Sequence, residues 1–71
     1  MTWNYRIIKQ GGYYSVCEVF YNRNKPYSWT EPITIEGEST NEILEQLEMI
    51  IKDINSKVLV VENNKLVASR E

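Results

Sequence analysis

Two adjacent glycines set the first constraint. Gly11-Gly12 separates two stretches in which apolar and polar residues alternate, Trp3 to Ile8 before it and Tyr13 to Tyr21 after it. A period of two is the pattern of a strand, and glycine takes the positive φ of a primed two-residue turn at no steric cost. With Gly11 and Gly12 as the whole loop, Gln10 faces Tyr13, and the pairing continues Ile7 with Val16, Tyr5 with Glu18 and Trp3 with Phe20. One face of this hairpin carries Trp3, Tyr5, Ile7, Tyr14, Val16 and Phe20. The other carries Asn4, Arg6, Ile8, Tyr13, Ser15, Cys17, Val19 and Tyr21. The first reads as the better core face. A loop one residue longer would pair opposite faces, so turn and pattern support each other.

The polar turn Asn22-Arg23-Asn24-Lys25-Pro26 follows, closed by a proline that cannot continue a ladder. A third strand is expected over Tyr27-Ser28-Trp29-Thr30 and, past Glu31-Pro32, the extended Ile33-Thr34-Ile35. Ser39-Thr40-Asn41-Glu42 is a capping box, in which the Ser39 hydroxyl accepts from the Glu42 N–H and the Glu42 carboxylate returns to the Ser39 N–H. Ile43, Leu44, Leu47, Ile50, Ile51 and Ile54 then form one helical stripe that must cover the sheet, with Glu45, Glu48 and Lys52 opposite. Met49 falls on a flank with Glu42, Gln46 and Asp53. Asn55-Ser56 ends the helix. Val58 to Glu62 and Lys65 to Ala68 read as two strands around an Asn63-Asn64 turn, with a frayed tail from Asn63 as the alternative.

These elements predict a single α+β domain over 1–71 with two layers. An antiparallel three-stranded meander (about 3–10, 13–21 and 27–35) carries one amphipathic helix (about 40–54) on one face, and a C-terminal strand or hairpin (about 58–68) follows. A chain of 71 residues buries only about 60% of its unfolded surface, so good packing or association must supply its stability.

Composition excludes chemistry. There is no histidine, so a Ser-His or Cys-His nucleophile system cannot be built from this chain, and one cysteine permits neither an internal disulfide nor a Cys-based zinc site. Neither metal nor cofactor is expected. No apolar run approaches the roughly 18 residues that span a bilayer, and the start is not the basic-then-apolar pattern of a secretory signal. A free thiol suits the cytoplasm, the expected location. All eight aromatic residues lie in the first 29 positions, which carry Arg6, Lys9, Arg23 and Lys25 against Glu18; the remainder carries nine acidic and four basic residues. With no linker between them, the two halves read as a basic aromatic sheet and an acidic helix of one fold.

Four spaced motifs carry a resemblance. Trp3-Asn4-Tyr5-Arg6-Ile7-Ile8, Val16-Cys17-Glu18-Val19-Phe20-Tyr21, Ser28-Trp29-Thr30-Glu31-Pro32 and Gly37-Glu38-Ser39 before the helix resemble, in that order, a group of small uncharacterised bacterial and phage proteins. Their pattern runs W-x-Y-R-V-I, I-H-E-V-Y-Y, W-T-x-x-P and G-E-S followed by a helix. The resemblance covers roughly residues 3–60 and implies no activity. Cys17 departs from it, standing where the group has histidine.

The site residues follow from the faces. One helix covers one sheet face, so Ile8, Tyr13, Cys17, Val19 and Tyr21 on the other form an apolar patch that calls for a protein partner or a second copy, with Met49, Val58 and Val60 as further contact residues. Cys17 itself reads as a small apolar filler before it reads as a reactive thiol. Glu18 is the candidate buried acid, placed by the register among Trp3, Tyr5, Val16 and Phe20. Arg6, Tyr13, Tyr21, Arg23, Lys25 and Tyr27 form the alternative site, a stacking and phosphate-binding surface for single-stranded nucleic acid. The acidic chain, of pI near 5.1, argues against that alternative. The acids Glu31, Glu36, Glu38 and Glu42 match no calcium loop and read as a solvated helix start. A non-enzymatic, self-associating interaction module is the leading expectation.

Overall fold

The Gly11-Gly12 turn forms as the alternation requires. In the computed structural model, which describes residues 2–69, β1 (Thr2–Gln10) and β2 (Tyr13–Asn22) pair antiparallel with Gln10 opposite Tyr13, Tyr5 opposite Glu18 and Trp3 opposite Phe20. Gly11 and Gly12 have φ of 59° and 86°, the left-handed region that glycine enters freely.

The next hairpin is tighter than its composition suggested. Arg23 and Asn24, with φ of 54° and 65°, are its two loop residues, and β3 (Lys25–Trp29) begins before the proline. Pro26 is tolerated because β3 is an edge strand. Tyr21 faces Pro26 while Phe20 faces Ser28, so Tyr27 is the extra residue of a bulge. The strand expected to reach 35 stops at Trp29. Beyond it the chain still follows β2: Thr30 N–H donates to the Glu18 carbonyl (2.9 Å), Thr30 Oγ1 accepts from the Glu18 N–H (3.0 Å), and Ile33 N–H donates to the Val16 carbonyl (2.9 Å). Pro32 lacks the donor that a regular ladder would need there.

Helix α1 (Thr40–Asp53) starts at Ser39, whose Oγ accepts from the Glu42 N–H at 3.2 Å. The return bond differs from the expected box, because Glu42 Oε2 accepts from the Glu38 N–H at 2.6 Å. Gly37 permits this close turn, since a Cβ there would lie 2.9 Å from Glu42 Cβ. After the helix, β4 (Leu59–Glu62) and β5 (Lys65–Ala68) form a hairpin whose Asn63 and Asn64 take φ of 51° and 62°. The expected Asn-Asn turn is thus present, and Lys65 to Ala68 form a strand where the alternative expected a frayed tail; residues 70 and 71 lie outside the described residues.

The sheet differs from the expected meander with a separate hairpin. β4 pairs parallel to β1, with Ile8 opposite Leu59 and Lys9 opposite Val60, giving one mixed five-stranded sheet in the order β3-β2-β1-β4-β5. A parallel neighbour needs a long crossover, and α1 lies in it. Across the Ile8 face, Cys17, Val19, Leu59 and Leu66 pack with Ile8 into the core, joined by Tyr21, Trp29 and Val61. The two edge strands β3 and β5 also approach each other, so the sheet closes over its own face. The better core face is therefore the opposite of the expected one. A three-stranded sheet had left Ile8, Cys17 and Val19 uncovered, and the C-terminal hairpin covers them.

β4 accompanies β1 for only two residues. Along the free stretch before them, the Asp53 carboxylate at the end of α1 accepts from the Tyr5 N–H at 3.1 Å, and Arg6 Nη2 donates to the Lys57 carbonyl at 2.6 Å. The helix end thus serves the Tyr5 N–H where a strand would, and the segment after it holds the Arg6 side chain.

Two substitutions test this arrangement by chemical denaturation. Ile8→Ala should destabilise the chain by about 2–5 kcal/mol, well beyond Val16→Ala on the helix side. Asp53→Ala should cost about 1–3 kcal/mol by leaving the partly buried Tyr5 N–H without its acceptor, and Asp53→Asn, which keeps an oxygen there, should cost less.

Candidate functional site

The strand period divides the expected interface residues between two surfaces. Ile8, Cys17 and Val19, exposed by only 1%, 2% and 0%, belong to the core of the single chain and offer nothing to a partner. Tyr21 is partly buried beside them, and Tyr13, at the Gly11-Gly12 end, is exposed. Val58 and Val60 are partly buried, and Met49 is half exposed on the helix.

On the helix side the covering is incomplete. α1 lies against β1, and Gln46 shares a hollow with Tyr5 and Glu18, which places the helix over the Tyr5 end of this face. Ile50 is the buried residue of the stripe, with Ile43, Leu47 and Ile54 partly buried. Leu44 and Ile51, from the same stripe, stay 56% and 67% exposed. Their helical angle explains it: at 100° per residue they lie one quarter-turn from Ile43 and Ile50, past the line of contact. The other end of the face carries a cross-strand row, Tyr14, Lys9, Val60 and Val67, given by three successive pairings. Lys9 Nζ stands 5.6 Å from the Tyr14 ring centroid, and Tyr14 and Val67 remain exposed. The row was missed because the sequence does not announce that β4 joins β1, without which Val60 and Val67 have no place beside Tyr14.

Glu18 is partly buried; among the described residues no polar or charged side chain is fully buried. Bonding of its backbone to Thr30 brings the loop beside it, so Glu18 and the exposed Glu31 line one shallow hollow with Gln46. Cys17 Sγ lies 3.5 Å from Ser15 Oγ within the core and serves as apolar filler. Among the described residues, no three Cys, Asp or Glu side chains gather as metal ligands, and no helix is long and apolar enough to cross a membrane.

The nucleic-acid alternative is split as well. Arg6 and Tyr21 meet at the Asn24 end of the sheet, where the turn also carries Arg23 and Lys25, whereas Tyr13 sits at the opposite end of β2. The Tyr21 ring packs on the core and its hydroxyl is engaged by Arg6 and Asn4, so it is not a free stacking platform.

No protein-family model, curated protein or solved structure matches the chain.

The burial of Cys17 has a direct readout. In the native protein its thiol should resist an aromatic disulfide reagent and react only as fast as the chain unfolds; rapid labelling without denaturant would contradict the packing.

Proposed function

We propose that this chain is a non-enzymatic interaction module that self-associates through its helix-side face. One observation carries the reading: among the described residues seven hydrophobic side chains are buried, whereas nine large ones, including Leu44, Ile51, Tyr14 and Val67, are exposed. A monomer this small rarely leaves so much apolar surface in water unless that surface meets something. The dimensions agree, since the Cα radius of gyration is 12.7 Å against about 11 Å for a compact domain of this length.

A second copy suits this face. Glu42 and Glu45 lie in the first half of the helix, and Lys52 and Lys57 at and beyond its end, beside Asp53, whose carboxylate is held by the Tyr5 N–H. Two such helices meeting antiparallel about a twofold axis would bring Leu44 toward the partner's Ile51 and acids toward bases. The contact thus moves from the expected Ile8 face to the helix side, keeping Val60. The motif resemblance to small bacterial and phage proteins and a cytoplasmic location belong to the same reading. A single-stranded nucleic-acid binder is the weaker alternative, because its aromatic residues do not share one exposed surface.

Sedimentation equilibrium at micromolar concentration tests the proposal. The wild-type chain should be a dimer and Leu44→Glu/Ile51→Glu a monomer with native circular dichroism. A wild-type chain that stays monomeric across the range would refute self-association.

A further inference from the structure

The end of the sheet away from the Gly11-Gly12 turn holds a cation, Arg6, that makes its hydrogen bonds to neutral oxygens among the described residues. The Arg6 guanidinium is partly buried. Its Nη1 donates to the Tyr21 hydroxyl at 2.8 Å, the Tyr21 O–H donates in turn to Asn4 Oδ1 at 2.7 Å, and Nη2 donates to the Lys57 carbonyl. Both acceptors are neutral oxygens. Nε is buried with no hydrogen-bond partner. A hollow of about 280 Å³ opens beside the group, lined by Thr2, Asn4, Arg6, Tyr21 and Asn24, with no carboxylate among them.

A guanidinium taken partly out of water ordinarily meets a carboxylate, because desolvation of a charge is offset only by pairing. Here the residues that line the hollow are polar and include no carboxylate, and the Asp53 carboxylate on the same strand edge accepts from the Tyr5 N–H. The Tyr21-to-Asn4 bond fixes which way the Asn4 amide points, since its oxygen is used and its NH2 is left to donate. Asn24 supplies a second amide, Thr2 a hydroxyl, and the same turn carries the cations Arg23 and Lys25. Amide and hydroxyl donors converging on one guanidinium are the recognition chemistry of a tetrahedral oxyanion.

We propose that this hollow binds phosphate, free or as a monoester, on the Arg6 guanidinium and the Asn4 and Asn24 amides. The site is independent of the self-association surface, because Arg6 and Asn4 lie on the Ile8 face of β1 and the helix packs on the other.

The test uses inorganic phosphate and a nucleoside monophosphate, titrated at constant ionic strength into the whole chain and read by ¹H–¹⁵N correlation spectra. Saturable shifts are expected at Thr2, Asn4, Asn24 and the Arg6 Nε–H, with a rise in unfolding temperature that follows mass action. A stronger response to the monoester would identify an esterified ligand, and an equal response the free anion. Arg6→Ala risks the fold, because Arg6 ties β1 to the turn after the helix. Asn4→Asp is the decisive variant. It keeps the oxygen that accepts from Tyr21 and gives Arg6 an internal counter-charge, so it should fold at least as stably as wild type in chloride and lose the phosphate shifts by tenfold or more in affinity. Absence of saturable shifts in the wild type, or shifts that persist unchanged in Asn4→Asp, would overturn the proposal.

Discussion

Strand β1 must satisfy two edges, and the rest of the architecture follows from how it does so. One edge is met along its whole length by β2, nine residues in register. The other is met in two parts, a parallel β4 at Ile8 and Lys9 and the Asp53 carboxylate at the Tyr5 N–H. Buried or partly buried backbone donors left unpaired cost as much as lost hydrogen bonds, so the chain cannot leave that stretch bare. A parallel neighbour demands a crossover, the crossover is the helix, and the helix end is spent on the strand it crosses. The helix is thereby anchored at one end of the sheet and cannot also reach the row from Tyr14 to Val67.

Closure of the Ile8 face is the complementary result. Five twisted strands bring β3 toward β5, and the C-terminal hairpin delivers Leu59 and Leu66 to Ile8, Cys17 and Val19. Fully burying a side chain such as Ile8 or Val19 is worth roughly 1.5–3 kcal/mol each, so the most dehydrated side chains lie on this face. The helix layer, with Ile50 its one buried residue, adds less. A small chain has apolar residues enough for two faces and one helix with which to cover them, and here one face covers itself.

The sequence was informative wherever a single local rule decided the outcome. Glycine at 11 and 12 settled a turn and, through the period of two, nine pairings; Ser39 settled the helix start; two asparagines settled the last hairpin. It was silent where distant partners decide. Nothing in Val58 to Val61 says whether that run pairs with β1 or stands apart, and that choice alone decides which face is the core. Arg23 hid a turn because arginine is seldom chosen for positive φ, and the polar cluster around it was read as a longer loop ending at Pro26. The Tyr14 to Val67 row and the Asn4 relay to Arg6 required the register of three strand pairs, which no single segment carries.

Alternation also separates the two proposed surfaces. Residues two apart on β1 share a face, so Trp3, Tyr5, Ile7 and Lys9 look toward the helix side, whereas Asn4 and Arg6 lie on the Ile8 side. The strand carries both sets within nine residues, yet a change of charge at Asn4 and one at Leu44 act through different layers. Their common element is the connection from Asp53 to Lys57, which accepts from the Tyr5 backbone N–H and from the Arg6 side chain. That connection holds the helix in place and, through the Lys57 carbonyl, the guanidinium. The short contact between β1 and β4 thus has a use: a full-length parallel strand would have occupied the Tyr5 N–H that fixes the end of the helix.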